Sequence, residues 1–495
     1  MSGHLDQLLL GIADAELAAA PAAARMVVAG LNLDSRQVRQ GEAFVALHGT
    51  RGHGIAYAAD AVQRGAVVVL AEAPLVEAPA PGVPVLWIGH LHEQLGEIAA
   101  RFHDRPAEAL RIVGVTGTNG KTSCVQLLAQ AWTALGHRAA TIGTLGAGVH
   151  GQLLEGERTT PDALSVHRLL AEFRDEGATH VAMEVSSHAL DQGRVGAVDF
   201  EVAAFTNLTR DHLDYHKTME AYGAAKARLF AWPGLRAAAI NGDDAFGAQL
   251  LERLAPDVRA LRLSANGDAV ADVVAENVST TGEGLAFSLR TPWGRHSVRS
   301  HLIGRFNVAN LITVAACLGA LDEPFDRVID VLQNLEPVNG RMSRLGGRDG
   351  QPLVVVDYAH TPDALDKVLT AVRAHCAGRL YCVFGCGGER DAGKRPLMGA
   401  LAARLADVSI VTDDNPRGED GDAIVAQIVA GMADGHPYSV ERDRATAIAQ
   451  AIAQAGAGDA VVIAGKGHET YQESATGKHP FNDMLVARAA LERRA

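Results

Sequence analysis

Cysteine is scarce and odd in number: five residues, at 124, 317, 376, 382 and 386, with no Cys-x-x-Cys pair. Cys382 and Cys386 fit no zinc spacing, so a disulfide scaffold is excluded and reduced, mostly buried thiols are expected. Positive charge is also short. Lys plus Arg is 45 against 58 Asp plus Glu, for a net charge of −13. That balance excludes a broad nucleic-acid footprint or a polybasic membrane patch, though a local basic pocket can still take an anionic substrate. No apolar run approaches the roughly 18–20 residues of a membrane span. The opening residues, Met1 to Asp6, lack the basic region of a secretory signal. A cytoplasmic monomer with no nucleic-acid partner and no membrane insertion is expected. What is present is ordinary globular composition, 48% hydrophobic and 21% charged. At roughly 150 residues per domain, 495 residues suggest three domains.

Short apolar runs rich in β-branched residues recur at Val67–Leu70, Ile112–Val115, Val181–Val185, Leu353–Val356, Leu380–Phe384, Val408–Val411 and Ala460–Ala464. Each is followed by Gly-rich or polar residues and then a longer Ala/Leu-rich stretch. That alternation predicts an α/β protein with largely parallel sheets. Boundaries fall at His103–Pro106 and Glu336–Gly340, giving segments 1–107, 108–336 and 337–495. In open parallel sheets ligands bind beyond the carboxyl ends of strands, and each polar motif below follows a predicted strand.

The strongest motif is Gly114-Val-Thr-Gly-Thr-Asn-Gly-Lys-Thr122, between the strand at Ile112 and a helix through Val125–Ala134. Here Gly117, Thr118, Asn119 and Gly120 would surround phosphates with backbone N–H groups at a helix N-terminus. Lys121 would reach the terminal phosphates of ATP, and the Thr122 hydroxyl would ligate Mg²⁺. The spacing reads as G-x-x-G-x-x-G-K-T, because Val115 stands where a strict phosphate loop has its first Gly.

Two further strand ends carry Glu184-Val-Ser-Ser-His188 and Asn207-Leu-Thr-Arg-Asp-His-Leu-Asp-Tyr-His216. Their carboxylates and imidazoles suit a magnesium site. Any one of these histidines has an equally plain reading as a hydrogen-bonded structural residue. Next, Ala221–Phe230 looks like an amphipathic helix, whose periodicity puts Lys226 in solvent.

Taken together, these motifs resemble the Mur ligases of peptidoglycan synthesis, a family that shares its core with folylpolyglutamate synthetases. The resemblance also covers Tyr222-x-x-x-Lys226-x-x-Leu-Phe230, Gly304-Arg-Phe-Asn-Val-Ala-Asn310, Gly340-Arg-Met342 and Asp357-Tyr-Ala-His360. Leu33-Asp-Ser-Arg36, Thr159-Thr-Pro161 and Asp414-Asn-Pro-Arg417 narrow it to the members that add meso-2,6-diaminopimelate to UDP-N-acetylmuramoyl-L-alanyl-D-glutamate. The resemblance implies a central phosphate-loop ATPase-like domain with a mostly parallel sheet and helices on both faces. It also implies a C-terminal Rossmann-like domain and a smaller N-terminal α/β domain.

The implied chemistry is ATP activation of a carboxylate to an acyl phosphate, followed by attack of the amine. Lys121, His212 and Lys226 would be catalytic, with Lys226 carbamylated to N6-carboxylysine. The modified Lys226 and His212 would hold one Mg²⁺, and Thr122 and Glu184 another. Asn307 would lie near the adenine, Arg341 at the phosphates and Asp357 at the ribose. From the residues alone, Asn307 is equally a helix N-cap and Asp357 a turn former. Leu33 and Ser35 would touch the uracil end, where the plain alternative is a cap on a strand or turn. Thr159, Thr160, Ser186, Gln192 and Arg194 would hold the muramoyl-dipeptide. Arg158 stands before the two threonines where some relatives have Asn.

Diaminopimelate would fall to Arg390, Asp414, Asn415, Pro416, Arg417, Gly465 and Glu469. The arginines would take carboxylates, with Glu469 and Asp414 facing the distal ammonium. Rival readings are a folylpolyglutamate synthetase, which would lack the three narrowing motifs, and a nucleotide-binding switch, which would not need the second cluster.

Overall fold

A computed structural model describes residues 2–494 except 50–51, 75–81, 155, 157, 282–283, 339, 341 and 349. The chain forms two compact units: residues 1–263 with 316–323, and residues 264–315 with 324–495.

The first unit holds two sheets. Its N-terminal sheet runs Leu31–Asn32, Ala43–Ala46, Val68–Ala73, Val85–Gly89, all parallel. Its larger sheet begins in the order Gly146–Val149, Ala139–Gly143, His180–Glu184, Arg111–Thr116, Phe200–Phe205, Ala237–Asn241, Arg259–Ser264. Only the outermost strand, Gly146–Val149, is antiparallel to its neighbour. Arg111–Thr116 comes first in sequence yet lies between His180–Glu184 and Phe200–Phe205. Strand order therefore reverses around it, which opens a crevice at the carboxyl ends. The glycine motif leaves from that crevice and runs into the helix Lys121–Leu135. This helix packs on Ala139–Gly143 and His180–Glu184 and buries Trp132 completely.

The second unit has the antiparallel strands Val273–Thr281, Gly284–Thr291 and Gly294–Ser300. Its six-stranded sheet is ordered Ser343–Gly346, Leu353–Asp357, Ala460–Ala464, Leu380–Phe384, Val408–Val411, Tyr438–Val440. All but the first pairing are parallel. Alternate residues point to opposite faces of a strand. Val354, Val356, Tyr381 and Val383 pack with helices Arg444–Gln454 and Asp483–Glu492. Leu353, Val355, Leu380 and Cys382 pack with Pro362–Arg373 and Lys394–Leu405. Both faces are covered, which is why these strands read as unbroken apolar runs.

The strands expected at 353–356, 380–384, 408–411 and 460–464 form within one residue of those bounds. The thiols are free, and all but the half-buried Cys376 are buried. Among the described residues, no helix is long and apolar enough to cross a membrane.

Candidate functional site

The first cluster is built at the carboxyl ends of Arg111–Thr116, His180–Glu184 and Phe200–Phe205. Gly117 has φ +145°, and a Cβ there would meet the Thr206 hydroxyl at 1.9 Å, so only glycine fits. Residues after Phe205 fasten the loop. The Thr118 N–H donates to the Asn207 carbonyl at 2.8 Å. The Asn119 N–H donates to the Asn207 side chain at 3.0 Å, and Thr206 Oγ1 donates to the Asn119 carbonyl at 2.6 Å. Gly120, at φ +87°, begins the helix that presents Lys121 and Thr122.

Two lysines converge here. Lys121 Nζ donates to the carbonyls of Gly117 and Thr118, each at 2.9 Å. Lys226 Nζ donates to the same Gly117 carbonyl at 2.9 Å. The expectation that Lys226 is solvated is therefore wrong: it is 1% exposed. The helix runs Met219–Ala227 and tightens into a 3-10 turn, Arg228–Ala231, so the periodicity read over 221–230 did not apply throughout. Burial, and then the charge of Lys121, pull the Lys226 ammonium well below its ordinary pKa. The ring of Tyr222 lies 4.5 Å from its Nζ.

Glu184 ends its strand fully buried. Its carboxylate accepts from Thr122 Oγ1 at 3.0 Å, the Thr144 N–H at 2.7 Å and Thr144 Oγ1 at 3.2 Å. Thr144 Oγ1 in turn lies 3.1 Å from Thr159 Oγ1. Thr160 Oγ1 donates to the Glu184 carbonyl at 2.8 Å and lies 3.3 Å from Ser186 Oγ. Arg194 donates to the Thr160 carbonyl at 3.0 Å and to Gln192 Oε1 at 3.0 Å. Candidates from the phosphate loop and from the muramoyl-dipeptide set thus form one continuous network. His212 adopts a left-handed backbone at φ +52°, half-exposed, with its ring 4.9 Å from that of His188 and 6.0 Å from that of Tyr222. The His216 ring nitrogen instead pairs with Ser187 Oγ at 2.9 Å, the plain structural role.

Leu33 and Ser35 belong to the N-terminal sheet region. Among the described residues no hydrogen bond joins them to this network. There Asp34 caps the turn Ser35–Gln37 and pairs with Arg36 at 2.8 Å, while Ser35 is buried.

The second cluster sits at the carboxyl ends of Leu380–Phe384, Val408–Val411 and Ala460–Ala464, three adjacent strands. A Cβ on Gly387 would meet Arg417 Nη1 at 3.1 Å and Arg390 Cγ at 3.7 Å, so the two arginines flank one glycine. Arg417 takes φ +53° and donates to the Gly388 carbonyl at 2.8 Å and to Glu473 at 3.0 Å. The carbonyl of Pro416 lies 2.0 Å from the place of a Cβ on Gly388, so this turn also requires glycine. Asn415 Nδ2 donates to Glu469 at 2.9 Å. Gly465 faces Asp414 closely. Burial raises the pKa of the Asp414 carboxyl, opposed by the nearby charges of Arg444 and Lys466.

Sequence reasoning gave no role to Lys466, Glu473 or Arg395. Lys466 is fully buried and donates to Asn415 at 2.8 Å and Glu469 at 2.9 Å, with Asp414 at 3.7 Å. Arg395 holds Glu419 by paired bonds of 2.6 and 2.8 Å and donates to the Gly387 carbonyl at 3.3 Å. The motif containing Lys466 was visible, but its contacts depend on strand order.

Asn307 is the second residue of the helix Phe306–Ala320. It donates to the Ile303 carbonyl at 2.8 Å and accepts from Asn310 at 2.7 Å. Asp357 ends its strand as the turn former, accepting from the N–H groups of Met342 at 2.8 Å and Ala359 at 2.9 Å. Arg341 lies outside the described residues.

Three family models match the chain in order: the Mur ligase family catalytic domain over 27–103, the Mur ligase middle domain over 115–318, and the Mur ligase glutamate ligase domain over 340–467. A UDP-N-acetylmuramoyl-L-alanyl-D-glutamate–2,6-diaminopimelate ligase of Xylella fastidiosa strain Temecula1 is 55% identical, with 95% of each chain covered. The protein of the same name from Xanthomonas campestris pv. campestris strain 8004 is 56% identical over 94% of each. A solved structure of a UDP-N-acetylmuramoyl-L-alanyl-D-glutamate–2,6-diaminopimelate ligase superposes with a TM-score of 0.73 at 38% identity, covering 94% of this chain and 95% of that one. On fold, site and likeness over nearly its whole length, this chain belongs to the Mur ligase family.

Proposed function

We propose that this chain is the cytoplasmic ATP-dependent ligase that adds meso-2,6-diaminopimelate to UDP-N-acetylmuramoyl-L-alanyl-D-glutamate, releasing ADP and phosphate. The observation that carries this reading is the second cluster, where Arg390 and Arg417 flank Gly387 beside Asn415, Glu469 and buried Asp414. Diaminopimelate carries a carboxylate and an ammonium at each end. Lysine lacks the distal carboxylate and would leave an arginine unpaired, a strong basis for rejection. The names of relatives at 55–56% identity support the same reading. Its division of labour is threefold: 1–107 for the UDP end, with Leu33 and Ser35; 108–336 for ATP; and 337–495 for the amino acid.

The reaction follows from the first cluster. A substrate carboxylate oxygen attacks the γ-phosphorus, the bond to ADP breaks, and an acyl phosphate forms. The amine then attacks the acyl carbon, phosphate leaves with the original carboxylate oxygen, and the amine proton is lost to give the amide. Thr159, Thr160, Ser186, Gln192 and Arg194 orient the acceptor. Gly117 to Gly120 and Lys121 hold the phosphates, where charge builds up. Asn307, Arg341 and Asp357 serve the nucleoside and its phosphates.

Thr122 and Glu184, 3.0 Å apart, are a hard-oxygen pair that would hold Mg²⁺. Bound magnesium supplies charge neutralisation at the phosphates. His212 and Lys226, the latter as its carbamate, would hold a second Mg²⁺. The test supplies an acceptor labelled with oxygen-18 in its carboxylates. The reading predicts one labelled oxygen in each released phosphate, and unlabelled phosphate contradicts it.

A further inference from the structure

His137, His180 and Glu323 meet within the first unit, at the end of the sheet opposite the phosphate loop. His137 follows the helix Lys121–Leu135 by two residues, and its N–H is fixed to the Trp132 carbonyl at 2.9 Å. His180 opens the strand that Glu184 closes. Four residues at about 3.3 Å each separate it by roughly 13 Å from the catalytic carboxylate. The Glu323 N–H is fixed to the Leu318 carbonyl at 3.1 Å, and the neighbouring Leu321 carbonyl accepts from Arg111 at 2.9 Å. Three backbone anchors thus hold three donor side chains toward one point.

Their atoms fit a small cation. His137 Nε2 lies 2.9 Å, and His180 Nε2 3.7 Å, from the same Glu323 oxygen, and all three ligand atoms fall within 4.8 Å of one another. The imidazole rings are 4.2 Å apart. A His137–Glu323 hydrogen bond accounts for one histidine and leaves the other unexplained. His180 is 3% exposed, and its Nε2 is buried without a hydrogen-bond partner. Its Nδ1 lies 2.8 Å from Thr179 Oγ1. With that hydroxyl as acceptor, Nδ1 carries the proton and the Nε2 lone pair faces a carboxylate. That arrangement is repulsive unless a cation lies between them. A second partner fixing the far ring nitrogen is what metal-bound histidines use. Arg111, a neighbouring cation, is already paired with Glu201 at 2.6 Å.

We propose that His137, His180 and Glu323 form a structural site for a divalent transition cation of the zinc type, distinct from the catalytic magnesium site. Two imidazoles and one carboxylate are a zinc donor set, and half-exposed His137 leaves a fourth position to water. The cation ties the end of one helix and the start of a central strand to the segment after Leu321.

The test uses the full chain with Co²⁺ as a spectroscopic probe, in excess Mg²⁺ to fill the oxygen-rich catalytic site. Expected are visible bands of tetrahedral cobalt, saturating at one ion per chain and erased by Zn²⁺. The half-exposed His137→Ala and the near-isosteric Glu323→Gln should weaken cobalt binding at least about tenfold. Circular dichroism checks that both are folded, and Glu323→Gln decides if His137→Ala is not. Glu184→Gln should keep the bands. No tetrahedral bands in the parent, bands undiminished in folded Glu323→Gln, or bands lost in folded Glu184→Gln each overturn the site.

Discussion

Lys226 shows how far a side chain's chemistry depends on its surroundings. Its helix periodicity gives it no distinguishing mark, yet it is buried with its ammonium on the Gly117 carbonyl and the Tyr222 ring 4.5 Å away. Burial makes the Lys226 charge costly, and the Lys121 ammonium on the same Gly117 carbonyl adds to that cost. The neutral amine is the form that combines with CO₂, and the product is an anion suited to a metal. Lys226→Ala should lose on the order of 10²–10³-fold in turnover, as for other groups that stabilise transition-state charge. A short-chain carboxylic acid should restore part of the loss, whereas added bicarbonate should not. Full activity in the untreated variant would remove Lys226 from the mechanism. Arg417 is the comparable residue of the second cluster, held in a left-handed turn by Gly388 and Glu473. Arg417→Ala should lower kcat/KM for diaminopimelate by about 10²-fold, the cost of one lost charge-assisted pairing, with KM for ATP unchanged. An equal loss for ATP in steady-state kinetics would assign Arg417 to folding instead.

Among the elements, strands were legible and loop contacts were not. Parallel strands covered on both faces are apolar throughout, so Leu380–Phe384 and Ala460–Ala464 stand out without any structural knowledge. The glycine motif was legible for a related reason: Gly117 has no room for a Cβ, and chemistry of that kind leaves a fixed spelling. Which loops meet is set by strand order, and sequence does not state it. The loops after residues 384, 411 and 464 converge because Ala460–Ala464 pairs with Leu380–Phe384, which pairs with Val408–Val411. Lys466 depends on that convergence, bridging Asn415 and Glu469 from a fully buried position. Lys466→Met should destabilise the fold by about 3–5 kcal/mol, because it leaves Glu469 without its cation and buried Asp414 with Arg444 alone. Denaturant unfolding measures this, and a change under about 1 kcal/mol would mean the carboxylates find other partners.

At the scale of the molecule, the acidic excess of −13 acts against anionic substrates, so attraction is local. On the proposed reading, Lys121 would serve the phosphates, Arg194 the acceptor, and Arg390 and Arg417 the carboxylates of the incoming amino acid. The family was legible because motifs spread from Leu33 to Glu469 occur in one order, which no single motif matches in specificity. Burial of Lys226, the bracing by Lys466, and the histidine pair at the far end of the sheet were not, since each arises from residues distant in sequence.

The most direct measurement incubates the protein with ATP, magnesium and UDP-N-acetylmuramoyl-L-alanyl-D-glutamate. It supplies meso-diaminopimelate, L,L-diaminopimelate, L-lysine or, with folate as acceptor, glutamate in turn, and follows phosphate and the product mass. The account predicts phosphate matched one to one by the diaminopimelate amide, with lysine and folate plus glutamate inactive. Equal use of lysine, or phosphate release independent of any amino acid, would contradict it.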